Sequence, residues 1–184
     1  MQCALGTAVL GLNETNVDYF EHDDFVVSPG HQPVELNGKS AESEHPLHMA
    51  VLQGSRKIVH LLLKHGANCN AKDGRGLTPL IHAIIKEQED IVDMLLSHGA
   101  QIQLVDNHFQ RSPVHWTVLK RQDRLLKVVM KHCQQNVDII NAYDIEGKTP
   151  LHIAINLGWD AAVEMLLDAG ADVSAPTKPL GDGN

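Results

Sequence analysis

One short pattern constrains this chain more than any other. It is a polar residue, Pro, an apolar residue and, in three of four copies, His. It reads His45-Pro46-Leu47-His48, Thr78-Pro79-Leu80-Ile81, Ser112-Pro113-Val114-His115 and Thr149-Pro150-Leu151-His152. The prolines stand 33, 34 and 37 residues apart. A near-constant period in this range means an array of repeated supersecondary units, each unable to bury its apolar face alone.

Each copy starts a helix. The hydroxyl of Thr78 or Thr149 can accept from free N–H groups of a first helical turn. Pro suits the first helical position, where no amide donor is needed. Leu151, Ala154 and Ile155 then follow at helical spacing. After a break such as Gly54 or Gly158 comes a second apolar run: Ile58 to Leu63, Ile91 to Leu96, Ala162 to Leu167. The runs stop at Gly66, Gly99 and Gly170, as a helix closed by a left-handed glycine does. The unit is therefore helix, turn, helix, loop. Helices this short are marginal alone, so the pairs must stack around a shared core.

Two stretches carry a family resemblance. Asp144-Ile145-Glu146-Gly147-Lys148-Thr149-Pro150-Leu151-His152, continued by Leu166-Leu167-Asp168-Ala169-Gly170-Ala171-Asp172-Val173, resembles an ankyrin repeat. So does Asp73-Gly74-Arg75-Gly76-Leu77-Thr78-Pro79-Leu80 with Leu95-Leu96-Ser97-His98-Gly99-Ala100. The resemblance implies an all-α fold, an ankyrin-repeat solenoid of stacked antiparallel helix pairs with β-hairpin fingers.

Four repeats are expected, over about 40–72, 73–105, 106–143 and 144–175. Residues 1–39 read as a partial repeat followed by an acidic loop over 21–39. Leu5, Ala8, Val17, Tyr19 and Phe20 fall near apolar slots of the unit, but its opening Thr-Pro step is missing. That suits either a fragment or short isoform of a longer protein, or a divergent N-terminal cap. Residues 176–184, with two prolines and two glycines, are expected to form a flexible tail. The third repeat is the least regular. Cys133 stands where a stop glycine is expected, Trp116 fills an aliphatic slot, and four extra residues follow Cys133. In the first repeat His45 replaces the capping Thr, so that cap is expected to be weaker.

Composition excludes several classes. A formal net charge of −8 argues against nucleic-acid binding, which rests on basic charge. No apolar run reaches membrane-spanning length, and no membrane partner is expected. Cys3, Cys69 and Cys133 are odd in number and far apart, without a Cys-x-x-Cys pair. That points to a reducing compartment, cytoplasmic or nuclear, and to no disulfide framework. The apolar start lacks the basic residues of a secretory leader; the first Lys or Arg is Lys39.

Twelve histidines invite a metal or catalytic reading, but they lack the clustered spacing of a zinc site. The resemblance makes His48, His115 and His152 structural, with rings bridging fingers and first helices. His65, His98 and His132 fall in last helical turns, where cationic or polar groups are favoured. There is no P-loop, no Gly-x-Gly-x-x-Gly and no nucleophile elbow. No catalytic residue, metal or cofactor is expected. Cys133 beside His132 is not a thiol–imidazole pair, because sequence neighbours diverge on a helix.

What remains is a surface. By resemblance, partners meet the finger tips and the inner-helix face. Those positions here are Arg75, Leu77, Ile85 and Lys86; Phe109, Arg111, Leu119 and Lys120; and Glu146, Lys148 and Asn156. Arg75, Arg111, Lys86 and Lys120 are expected to form a basic strip beside Leu77, Ile85, Phe109 and Leu119. The expected function is a protein-interaction module, an adaptor or scaffold, acting as a monomer on an acidic-plus-apolar protein segment. Two alternatives stand. One is an enzyme using His82, His115 and Lys120 as an acid–base site in the groove. The other is a substrate-targeting arm of a larger protein.

Overall fold

The computed structural model describes residues 45–133 and 136–177. The chain falls into two units, Met1–Ser40 and Ala41–Asn184, and all described residues belong to the second. The partial repeat and acidic loop expected over 1–39, and the tail from residue 178 onward, lie outside the described residues.

The described residues hold nine helices: α1 (Pro46–Leu52), α2 (Arg56–Lys64), α3 (Pro79–Ile85), α4 (Glu89–Ser97), α5 (Pro113–Leu119), α6 (Asp123–Cys133), α7 (Val137–Ile140), α8 (Pro150–Asn156) and α9 (Asp160–Asp168). Every recurrent proline opens a helix. The helices pair as α1–α2, α3–α4, α5–α6 and α8–α9, with α7 between the last two pairs. The first members, α1, α3, α5 and α8, pack side by side as one row; α2, α4, α6 and α9 form a second row. Apolar residues from both rows close the core. Val51, Ile84 and Val118 come from the first row, and Val59, Val92 and Leu126 from the second; all six are fully buried.

The histidine slot joins one pair to the next. The backbone N–H of Ser112 donates to His115 Nδ1 at 3.2 Å. That leaves Nε2 protonated, and it donates to the Lys148 carbonyl of the following turn at 3.3 Å. His48 Nε2 makes the same bond to the Leu77 carbonyl at 3.1 Å. In the last pair Thr149 and His152 form a reciprocal capping box, with His152 in the role usually held by Glu or Gln. His45 makes no side-chain cap bond, and His48 Nδ1 is left buried without a partner. Ile81 occupies the slot in the second pair, and His82 beside it bonds Asp73 at 2.7 Å.

The expected β-hairpin fingers are tight turns, each closed by one backbone bond: Asp73 N–H to Leu77 O at 3.0 Å, Asp106 N–H to Arg111 O at 3.2 Å and Asp144 N–H to Lys148 O at 2.9 Å; no residue among those described is in a strand. An Asp carboxylate organises each turn. Asp73 Oδ1 accepts from the N–H groups of Arg75 at 2.9 Å and Leu77 at 2.8 Å. Asp144 Oδ1 accepts from Glu146 at 3.0 Å and Lys148 at 2.9 Å. Successive turns meet through Asn107 N–H donating to Arg75 O at 3.1 Å and Ile145 N–H to Phe109 O at 2.8 Å. One such bond per junction does not build a ladder. Gly76 is required at its position. Its φ is 78°, and a Cβ there would stand 2.2 Å from Asn107 Cγ.

In the third pair, α6 runs for 11 residues where α2, α4 and α9 have nine. Cys133 lacks the backbone freedom with which Gly66, Gly99 and Gly170 turn the chain at positive φ. The helix continues through Cys133, and the extra residues include the short α7, started by the Asn136 side chain accepting from Asp138 N–H at 3.2 Å.

Candidate protein-binding surface

The expected strip is not assembled as the sequence suggested. Leu77 is 2% exposed and Arg111 is 7% exposed. Both occupy the slot two residues before the helix-opening proline, at the base of the turn rather than its tip. Leu77 fills core space. Arg111 Nε lies 3.4 Å from Asp144 Oδ2, and its terminal nitrogen 3.1 Å from Glu146 Oε1. Its guanidinium also sits 4.5 Å from the centre of the Phe109 ring and 5.8 Å from that of Trp116. These contacts consume its charge and its planar face. Arg111 and Leu77 therefore present no side chain to a partner, and the basic strip loses one of its four cations.

Asp106 and Trp116 are equally inward, whereas Glu146 and Lys148 are half-buried. Asp106, 1% exposed, accepts at Oδ1 from His108 and Phe109 N–H, and at Oδ2 from Arg111 N–H and Trp116 Nε1–H. Trp116 fits its aliphatic slot because Asp106 satisfies the indole donor. Lys148 is engaged by Glu146; that hydrogen bond, helped by the charges of Lys148 and Arg111, holds the Glu146 carboxyl below the ordinary range despite its partial burial.

The ends of the first-row helices do offer a surface. Ile85 and Leu119 are the last residues of α3 and α5, both half-buried, and Lys86 and Lys120 are the caps that follow. Lys86 is exposed and Lys120 half-buried. Asn156, exposed, holds the equivalent position at the end of α8, and Leu52 at the end of α1. Arg75 and Phe109 are half-buried in neighbouring turns.

Two residues missed by sequence reasoning sit beside this patch. Glu87 and Arg121 stand where the outer pairs have Gly54 and Gly158, and all four are left-handed, with φ of 58°, 52°, 68° and 59°. Bulky residues adopt that conformation at a cost of about 1–2 kcal/mol. Glu87 accepts from Gln122 Nε2 at 2.9 Å, while Arg121 projects into solvent. Aligning the four copies would have shown two charged residues in a glycine slot.

The groove chemistry considered for an enzyme is dispersed. His115 is fully buried and bonded at both ring nitrogens. Burial pushes its pKa down to about 4 against the pull of Asp144 and the Lys148 carbonyl. Burial likewise lowers His48, with His82 and His45 adding to it. His82 is held by Asp73, and Lys120 stands at the far end of its helix. A cavity of about 390 Å³ lies elsewhere, between residues 99–103 and the end of the third pair, bounded by His132, Cys133, Asn136 and Ile139. Cys133 there is 3% exposed, and burial pushes its thiol up to about 11, far from a reactive thiolate. No group of three or more His, Cys, Asp or Glu suited to a metal occurs among the described residues. No helix among them is long and apolar enough to cross a membrane.

Comparison with known proteins agrees with the stacked pairs. A family model described as ankyrin repeats (3 copies) matches residues 22–106 and 102–177. Among curated proteins, the nuclear factor NF-kappa-B p105 subunit of Gallus gallus is 27% identical over 146 residues, 79% of this chain. The aligned part is 11% of that protein's length.

Proposed function

The chain belongs to the ankyrin-repeat family, whose repeats generally mediate protein–protein contact; on that premise we propose that it binds an acidic-plus-apolar protein segment along the ends of α3 and α5. The observation that carries this reading is the matched pair Ile85-Lys86 and Leu119-Lys120, extended by Arg121. Stacking sets these equivalent positions side by side. The result is a locally basic, partly apolar patch in a chain of net charge −8. The two half-buried aliphatic side chains would hold affinity, and the cations would steer and orient an acidic segment. Arg75, Phe109, Glu146, Lys148 and Asn156 form the flanks of this site, while Leu77 and Arg111 support it from within. We place the module in a reducing compartment as an adaptor or scaffold; Cys69 and Cys133 are buried and unpaired.

The test is affinity capture with mass spectrometry, comparing the parent chain with Lys86→Glu/Lys120→Glu. Both positions lie outside the core, so helical content should be unchanged. Proteins lost selectively from the variant should bind the parent with rates that fall as salt rises, and Leu119→Ala should mainly speed their dissociation. Partners retained equally by the charge-reversed variant would refute this site.

A further inference from the structure

The ends of α3 and α5, read above as a docking site, also carry a length, and the inference from that length rests on the docking reading. Three consecutive positions repeat at each first-row helix end with one backbone conformation. The C-caps Gln53, Lys86, Lys120 and Leu157 have φ/ψ of −75°/−11°, −84°/3°, −79°/−6° and −82°/−7°. The residue after each is left-handed. Equal backbone geometry launches equivalent side chains in equivalent directions. Ile85 and Leu119, just before two of these caps, are half-buried. Both lie inside the stack: α3 packs between α1 and α5, and α5 between α3 and α8. Their exposure is therefore not that of an end. Beside them Lys86 and Lys120 repeat the same slot. The Glu87 carboxylate next to Lys86 is taken up by Gln122 Nε2, and Arg121 adds a second cation at the α5 step.

A ligand lying along this row meets one apolar-plus-basic step per helix, and packed helices stand about 8–10 Å apart. An extended strand presents one face every ~7 Å, so its successive side chains fall out of step. An α-helix returns a face every ~5.4 Å and approaches the spacing only after two turns, with one side chain in about seven on a step. A polyproline II chain has three residues per turn at about 3.1 Å each, so one face returns every ~9 Å. That conformation alone offers a side chain to each step in succession. It also leaves its backbone N–H and C=O groups unbonded, and the exposed amides of Gln53 and Asn156 stand at the flanking steps to meet them.

We propose that the segment bound here is a polyproline II stretch with an aliphatic residue at every third position and an acidic residue beside each one. Successive aliphatic side chains cover Ile85 and Leu119. The acidic residues face Lys86 at one step and Lys120 with Arg121 at the next. Polyproline II is a major conformer of unfolded chains, so a disordered acidic segment binds this way at a small ordering cost.

Fluorescence anisotropy of labelled synthetic peptides with the full 184-residue chain tests the period. A peptide of repeated Leu-Glu-Pro triplets should bind about tenfold tighter than the same residues shuffled to break the period, the scale of one misplaced aliphatic anchor. It should also bind tighter than a helix-forming peptide with leucine and glutamate at heptad spacing. Lys86→Glu/Lys120→Glu should weaken the triplet peptide by about tenfold or more, and so should glutamine in place of its glutamates. A shuffled or heptad peptide that binds as tightly, and is lost on charge reversal, overturns the three-residue period and leaves the site in place. Binding indifferent to the charge reversal, or no binding of any peptide, removes the site and the period together.

Discussion

The turn of the second pair and the turn of the third perform one task with different chemistry. In both, an Asp carboxylate gathers the N–H groups of the turn: Asp73 in one, Asp106 in the other. The second turn closes with Gly76 in the left-handed region and buries Leu77. The third closes with Gln110 at φ 54° and buries Arg111 in the place of Leu77. Leu77 binds its surroundings by apolar contact, which has no direction. Arg111 binds the fourth turn through Asp144 and Glu146 and stacks on the Phe109 ring of its own turn, contacts that all require direction. A repeat thus dictates backbone and burial at a slot, while the residue there decides whether the junction tolerates change.

The largest effect expected from that difference is at Arg111. Removing it as Arg111→Ala leaves Asp144, whose side chain is fully buried, without its ionic partner. The loss should be about 3–5 kcal/mol. Leu77→Ala should cost a similar 2–5 kcal/mol or so, by leaving a cavity. Conservative changes separate the two. Leu77→Met should cost less than about 1.5 kcal/mol. Arg111→Lys loses the planar fork and the ring contact, and should remain clearly more destabilising. Urea unfolding of the four variants decides this; equal losses for the two conservative changes would erase the distinction between the turns.

A smaller effect concerns the histidine that ties the third pair to the fourth turn. Burial holds His115 at about 4, against about 6.5 in an unfolded chain. The unfolded state therefore binds the proton more readily as pH falls. The stabilising contribution is fully present above about pH 6.5 and is lost progressively toward pH 4. His115→Gln should be less stable than the parent at pH 7 but should lose less stability between pH 7 and pH 4.5. At pH 7 the cost of His115→Gln should exceed that of His152→Gln, expected near 1 kcal/mol, because His152 has no following turn among the described residues to bond. Urea midpoints measured across the pH range check both statements. A parallel decline for parent and His115→Gln would remove His115 from the account.

The helix pairs were legible because each is announced locally, by a capping residue, a proline and a spaced apolar stripe. The stop glycines were legible for the same reason, and so was the missing one at Cys133. The surface was less legible because orientation within a turn depends on counting from the helix, and the third turn has one residue more between its Asp and Pro113 than the second has before Pro79. Counting back from each proline aligns Arg111 with Leu77 and Phe109 with Arg75. Pairing Arg75 with Arg111 by charge alone put a buried residue on a tip. The fingers expected from resemblance are closed by one backbone bond each, from Asp73 to Leu77, Asp106 to Arg111 and Asp144 to Lys148, which is too few to make strands. Glu87 and Arg121 were visible as exceptions in a glycine slot, but only the backbone shows that both keep the glycine conformation.

The smallest effect returns to the left-handed residues of the two turns. Gly76 and Gln110 adopt similar φ, yet exchange should not be symmetrical. Gln110→Gly relieves the steric penalty of a side chain at positive φ but adds freedom to the unfolded chain. The net gain should be about 0.5 kcal/mol, and Arg121→Gly should behave alike because its side chain has no core role. Gly76→Gln meets the same penalty and also drives a Cβ into Asn107, displacing the residue that bonds Arg75 across the turns. It should therefore lose several times what Gln110→Gly gains. Arg121→Gly adds one further discrimination: it should raise the unfolding midpoint slightly while weakening capture of an acidic partner, because strain retained at an exposed cation has use only outside the fold. A more stable Arg121→Gly that binds every partner as the parent does would leave the left-handed arginine without a role in recognition.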